Sequence, residues 1–258
     1  MPSLLLLGGA LGVYRGYVVL AAQRGRRFSP TARHLATFSR EAVARAVLSV
    51  IGVMAIGKAP LPGLASVDRP AVVLVPGGWN RSSMWFLAAF LRRRGHVVAV
   101  TDRAHHDSTL AEDAASLQET VRQVLDRTRA STVHLVGFDR GGLVAAWYAR
   151  HLEGAERVGV LVTLGTPWRG TRTSMFRRGA EELRWDNPVL DDLAPPQVPT
   201  VCVWSPDDPE VVPTASAVPT DGVQGVCLEG AGHSELLLSA RAFLAVESAL
   251  RGALQAPV

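Results

Sequence analysis

Asp139, Asp208 and His233 have the side chains and the settings that could carry covalent and proton-transfer chemistry. Asp139 is the middle residue of Gly137-Phe138-Asp139-Arg140-Gly141; the apolar run Val133–Val136 precedes it and a helical pattern, Leu143 to Leu152, follows. A strand that turns into a helix through Gly-x-Asp-x-Gly lets the two elements pack closely. The middle side chain then projects over the C-terminal edge of the sheet. Asp208 lies in Ser205-Pro206-Asp207-Asp208-Pro209-Glu210-Val211, with Asp207 and Glu210 as rivals in the same loop. A carboxylate there can orient a histidine and stabilise its imidazolium. His233 sits in Gly230-Ala231-Gly232-His233-Ser234, a loop whose glycines let the ring reach over a site. The turn Val75-Pro76-Gly77-Gly78-Trp79 offers backbone N–H groups for a developing oxyanion, Gly78 first and Trp79 second, together with the N–H of Arg140.

For these groups to meet, the apolar runs before them must share one sheet edge. The pattern predicts strands at Ala71–Val75, His96–Thr101, Val133–Val136, Val158–Leu164, Thr200–Trp204 and Gly225–Leu228. Amphipathic stretches alternate with them, such as Glu112–Arg129 with Ala114, Leu117, Val121, Val124 and Leu125 on one face. Continuous apolar strands alternating with helices imply an α/β protein, its mostly parallel sheet of about six strands covered by helices on both faces. Residues 63–258 are assigned to this domain and residues 1–62 to an N-terminal helical extension.

Within the extension, Ser39 reads as an N-cap, Glu41 and Arg45 as an i,i+4 pair, and Val43, Val47, Val50 and Met54 as the buried face of a helix. Lys58–Gly63 reads as a linker. Residues 3–22 are apolar except for Ser3 and Arg15, long enough to span a bilayer, and are followed by Arg24-Gly25-Arg26-Arg27. Arg15 opposes a span. The alternatives are a helix lying against the domain and a membrane anchor or surface helix, which makes residues 3–27 the expected membrane contact. Localisation is then cytoplasmic or membrane-associated through the N-terminus.

The net charge of +4 comes from arginine clusters without interleaved aromatic residues, which argues against a nucleic-acid partner. Two cysteines, Cys202 and Cys227, exclude a disulfide scaffold and a cysteine-rich zinc site. They occupy equivalent points of two expected strands and read as plain buried thiols. His105 and His106 lack further ligands at useful spacing, so neither a metal nor a cofactor is implied.

From about Pro70 to Phe243 the chain resembles bacterial lipases and esterases of the α/β-hydrolase superfamily. The segments VVLVPGGWNRSSMW, VHLVGFDRGGLVAAWYARHL, VTLGTPWRGT, WSPDDPEVVP and GAGHSELLLS carry the resemblance. It implies an α/β-hydrolase fold, a nucleophile–acid–histidine order of Asp139, Asp208 and His233, and an oxyanion hole at Gly78 and Arg140. Val211, three residues after Asp208, suits the family's acid loop. It also implies a small-molecule or lipid-like substrate. The loop Trp168-Arg169-Gly170-Thr171 and the arginine-rich segment Ser174–Arg184 read as a lid, whose Met175, Phe176 and Leu183 suggest a partly apolar pocket.

Two departures matter. Pro76-Gly77 stands for the family's His-Gly, and Asp139 stands for its serine. A carboxylate attacking an ester carbonyl would give a reactive anhydride, whereas a saturated carbon bearing a halide or an epoxide gives a stable alkyl ester. Dehalogenases and epoxide hydrolases carry aspartate at this elbow, and Asp139-Arg140-Gly141-Gly142 is similar to the elbow of fluoroacetate dehalogenases. Yet Leu143 replaces their second arginine, Arg140 replaces the halide-binding tryptophan of haloalkane enzymes, and the tyrosines are Tyr14, Tyr17 and Tyr148 alone. Trp79 or Trp168 could hold a halide. Three readings follow: a hydrolase attacking through Asp139, a lipase relative without hydrolytic activity that serves binding or membrane association, and an esterase in which His233 activates water directly.

Overall fold

The structure is a computed structural model that describes residues 32–54, 70–77, 81–102, 107–176, 180–194, 196–218 and 223–255. Residues 3–27, the Lys58–Gly63 linker, Gly78, Trp79 and the His105-His106 pair lie outside the described residues.

A helix, α1 (Ala32–Met54), precedes β1 (Ala71–Val75), α2 (Trp85–Arg93), β2 (Val98–Val100), α3 (Leu110–Thr128), β3 (Val133–Phe138) and α4 (Arg140–His151). Then come β4 (Val158–Leu164), the helical turn α5 (Pro188–Asp191), β5 (Thr200–Trp204), β6 (Gln224–Cys227) and α6 (Ala240–Gln255). The six strands form one sheet in the order β2-β1-β3-β4-β5-β6, every neighbouring pair parallel. Three strands have the bounds their apolar runs predict. β3 runs two residues further than expected, to the threshold of Asp139.

Because successive side chains of a strand point to opposite faces, each strand feeds two cores. Val73, Val75, Leu135 and Leu161 pack with α3 and α4 on one face. Val72, Leu74, Val136, Phe138 and Val162 pack with residues of α1, α2 and α6 on the other. α3 is capped as its sequence allows: Thr109 accepts the Glu112 N–H while the Glu112 carboxylate accepts that of Thr109.

The order reverses at β1, which has β2 on one side and β3 on the other. Such a switch point opens a crevice at the carboxyl ends of the strands. Gly77, past the end of β1, and Asp139, past the end of β3, meet there. A Cβ on Gly77 would come 2.7 Å from that of Asp139, so only glycine lets this turn lie against the aspartate.

α1 departs from expectation. It begins at Ala32, so Ser39 is inside the helix and is not its N-cap. Val43, Val47 and Val50 face solvent, while Thr37, Glu41, Ala44 and Leu48 are buried. Both sets recur at helical spacing; the packing partners, the turns Arg81–Met84 and Ser234–Leu237, select the second. The cysteines also depart: Cys202 is buried but Cys227 is exposed, both are free, and the register sets Cys202 opposite Gly225 and Cys227 opposite Trp204.

Candidate active site

Asp139 has φ 52° and ψ −126°, a conformation that a side chain adopts only under strain of about 1–3 kcal/mol. The strain follows from the glycine-lined turn. Side-chain atoms at Gly137 would collide with the backbone of Gly141 and Gly142, and at Gly141 with the Val75 carbonyl, so strand and helix close tightly and force the residue between them outward. Helix α4 starts at the next residue, Arg140, whose N–H has no acceptor within the helix and heads its positive end.

Three loops past the strand ends converge on Asp139. His233 follows β6, and its Nδ1 is 2.7 Å from Asp208 Oδ2 in the loop after β5. Its Nε2 lies 3.9 Å from Asp139 Oδ1. That separation exceeds a hydrogen bond and leaves the two groups facing one another across a narrow gap. Phe138 supports the ring from below, with centroids 4.7 Å apart. Gly165 (φ 55°), after β4, lies under the pair; a Cβ there would be 3.1 Å from His233 Nδ1 and 3.2 Å from Asp208 Oδ2.

The three acidic residues of the Asp208 loop separate cleanly. Asp208 Oδ1 accepts the N–H groups of Glu210 (2.8 Å) and Val211 (3.1 Å), which aims Oδ2 at the histidine. Asp207 instead accepts the Gly230 N–H at 2.7 Å. Glu210 pairs with Arg45 of α1.

Asp139, Asp208 and His233 are all buried. Burial by itself would push the imidazole down. Asp208, by charge and hydrogen bond, then Asp139 and Glu210 by charge, outweigh it and raise His233 to about 9. At neutral pH the ring is therefore an imidazolium held between two carboxylates.

The Arg140 guanidinium is buried against Asp113 and donates to the Ser108 carbonyl at 2.7 Å. Trp168 is fully buried in the core beneath α4, beside Cys202, and Leu183 belongs to the same core while Met175 faces solvent. Within the expected lid the Thr171-Arg172 step is tied down: Thr171 donates to the Glu210 carbonyl at 2.7 Å and the Arg172 N–H to that of Val212 at 2.9 Å.

Two features of the site have no signature in the local pattern. Asp113, on α3, anchors Arg140 from 27 residues away. Glu41, on α1, accepts the Ser234 N–H at 2.8 Å, next to the histidine and 193 residues along the chain.

A family model described as the alpha/beta hydrolase family matches residues 72–187. Among solved structures, the mature form of the lipase BlEst2 from Bacillus licheniformis superposes with a TM-score of 0.64 at 15% identity, covering 75% of this chain and 96% of that one. The product of gene lin2722 from Listeria innocua gives 0.58 at 16% identity, over 74% and 96% of the two chains. Carboxylesterase CesB from Bacillus subtilis gives 0.51 at 17% identity, over 73% and 86%. The chain has the α/β-hydrolase fold: a six-stranded parallel sheet flanked by helices, with an N-terminal helix added.

Proposed function

We propose that the protein is a hydrolase in which Asp139 is the nucleophile, Asp208 the orienting carboxylate and His233 the acid–base group, acting on a saturated carbon that bears a halide or an epoxide oxygen. The observation that carries this reading is the 2.7 Å His233–Asp208 pair, kept intact behind a strained elbow that presents a carboxylate.

In the first step an Asp139 oxygen forms a bond to the carbon while the carbon–halogen bond breaks and halide leaves. With an epoxide, the imidazolium of His233 gives its proton to the departing oxygen. The product is an alkyl ester of Asp139, and the negative charge of Asp139 is gone. One of the charges that hold His233 at about 9 is thereby removed, so the ring gives up a remaining proton more readily and becomes a base when one is needed. In the second step His233 Nε2 takes a proton from water, and the water oxygen adds to the carboxyl carbon of Asp139. The Arg140 N–H, at the head of α4, supports the oxyanion, with Gly78 as its proposed companion. On collapse the ester carbon–oxygen bond breaks, His233 returns its proton to the departing oxygen so that the alcohol leaves, and Asp139 keeps one oxygen from solvent.

The lipase and carboxylesterase neighbours point to an apolar or acyl-bearing substrate, while the carboxylate chemistry favours the alkyl carbon. Arg140 is engaged by Asp113 and is not free to clamp a haloacid carboxylate. Tyr148, the one tyrosine among the described residues, is a buried residue of α4 itself, so epoxide opening is assigned to His233. One observation favours the alternative of a non-catalytic relative: His233, bonded to Asp208 and 3.9 Å from Asp139, has a carboxyl group on each side and could simply rest there as a stable charge cluster.

The test is turnover of haloalkanes, epoxides and short acyl esters in ¹⁸O-water by the native chain, Asp139→Asn and Asp139→Ser. Halide or diol release with one ¹⁸O entering Asp139 is expected, lost in Asp139→Asn. No turnover by the native chain, with ester hydrolysis appearing in Asp139→Ser, would establish the non-catalytic relative instead.

A further inference from the structure

The buried face of α1 carries a carboxylate into the heart of the site. Glu41 is fully buried, and both of its oxygens are engaged. Oε2 accepts the Ser234 N–H at 2.8 Å, and Oε1 accepts Arg45 Nε at 3.0 Å. Gly232 leaves the room this requires: a Cβ there would come 2.5 Å from Glu41 Oε2. Arg45 reaches on to Glu210, in the loop whose Asp208 holds the histidine ring. Arg40, the residue before Glu41, bonds the Gly230 carbonyl and, at 2.8 Å, Glu235 Oε1, while Glu235 Oε2 accepts the Gly232 N–H at 2.6 Å. The loop from Gly230 to Glu235 is thus fastened to α1 at both ends, and a buried carboxylate sits beside its histidine.

Resting on the reading of His233 as the acid–base group, we propose that Glu41 is a positioning residue: supplied by the N-terminal helix, it holds the histidine loop in register and joins it, through Arg45 and Glu210, to the Asp208 loop. A buried acid would ordinarily be a liability. Burial holds the Glu41 carboxyl above the ordinary carboxylate range, and Arg45, the charge of His233 and the Ser234 N–H offset this only in part. The charged groups facing His233 are Asp208 from the β5 loop, Asp139 from the elbow, Glu210 from the acid loop and Glu41 from α1. Removing the charge of Glu41 therefore lowers the pKa of His233, and removing its hydrogen bond loosens the loop.

The experiment is an NMR titration of the His233 ring in the full-length native chain, Glu41→Gln and Glu41→Ala, beside kcat and KM on whichever substrate the native chain turns over. Glu41→Gln keeps an acceptor for Ser234 and loses the charge. It is expected to titrate lower than native with kcat down about tenfold, and Glu41→Ala to lose about 100-fold, with KM little changed in both. A His233 titration unchanged in Glu41→Gln, with native kcat, would overturn the proposal and leave Glu41 a fold-stabilising residue. Should Glu41→Ala fail to fold, Glu41→Gln decides. Should the native chain turn over nothing, the hydrolase reading fails and the titration still decides on Glu41.

Discussion

His134 and His233 are almost equally hidden from solvent, yet their ring pKa values move in opposite directions. His134 is on β3, five residues before Asp139, and neither ring nitrogen has a hydrogen-bond partner. Its ring lies against Gly159 of β4, where a Cβ would come 2.9 Å from it. Burial, and after it the nearby His96, pushes His134 down to about 4. His233 is pushed down by burial as well and still rises to about 9, because Asp208, Asp139 and Glu210 surround it. Burial alone makes a neutral core residue; the same burial with carboxylates in reach makes a group poised to exchange protons.

The largest expected contrast is in turnover. His233→Gln should lower kcat roughly 10⁴-fold, whereas His134→Leu should leave it unchanged; equal losses in steady-state assays would break the comparison. Next, Asp208→Asn should cost roughly 10³-fold and move the His233 titration down, since the ring loses its orienting partner and its main compensating charge. An unchanged NMR titration would show that Asp208 does not govern the ring.

Smaller effects appear in stability against pH. His134 has a folded pKa below its ordinary 6.5, so the unfolded chain takes up the proton first. Its contribution is intact above about 6.5 and drains by on the order of 3 kcal/mol as pH falls to about 4. Denaturant titrations should show this acid limb, and His134→Leu should remove it. His233 has the opposite sign: its contribution is full below about 6.5 and is lost as pH rises through about 9. Asp139→Asn should make that alkaline limb shallower and shift it to lower pH while leaving the His134 window in place. An alkaline limb unaltered by Asp139→Asn would mean that Asp139 and His233 do not interact across their 3.9 Å gap.

Much of this was legible in the chain, for local reasons. β1, β4 and β5 coincide with their apolar runs because a strand buried on both faces must be apolar throughout. The turn at Asp139 was readable because close packing of strand and helix demands glycines at fixed offsets. Asp208 was distinguishable from Asp207 and Glu210 only through its expected loop, and in the fold it is Asp208, not Asp207, that bonds His233. α1 misled at Ser39, which is mid-helix, and at Val43, Val47 and Val50, which face outward. A helix carrying two apolar stripes does not itself say which one finds a neighbour.

The sequence by itself determined the strands, the parallel α/β architecture, the tight glycine-flanked turn at Asp139 and the chemistry available to a carboxylate there. These follow from side-chain periodicity, backbone sterics and ionisation, all properties of residues near one another in the chain. The tertiary structure decided that Arg140 is spent on Asp113, that Trp168 is core, that Glu41 reaches the histidine loop and that one buried histidine is neutral while the other is charged. Those outcomes depend on groups brought together from distant points of the chain, where desolvation and Coulomb attraction compete over a few ångströms, and no local pattern records which will win.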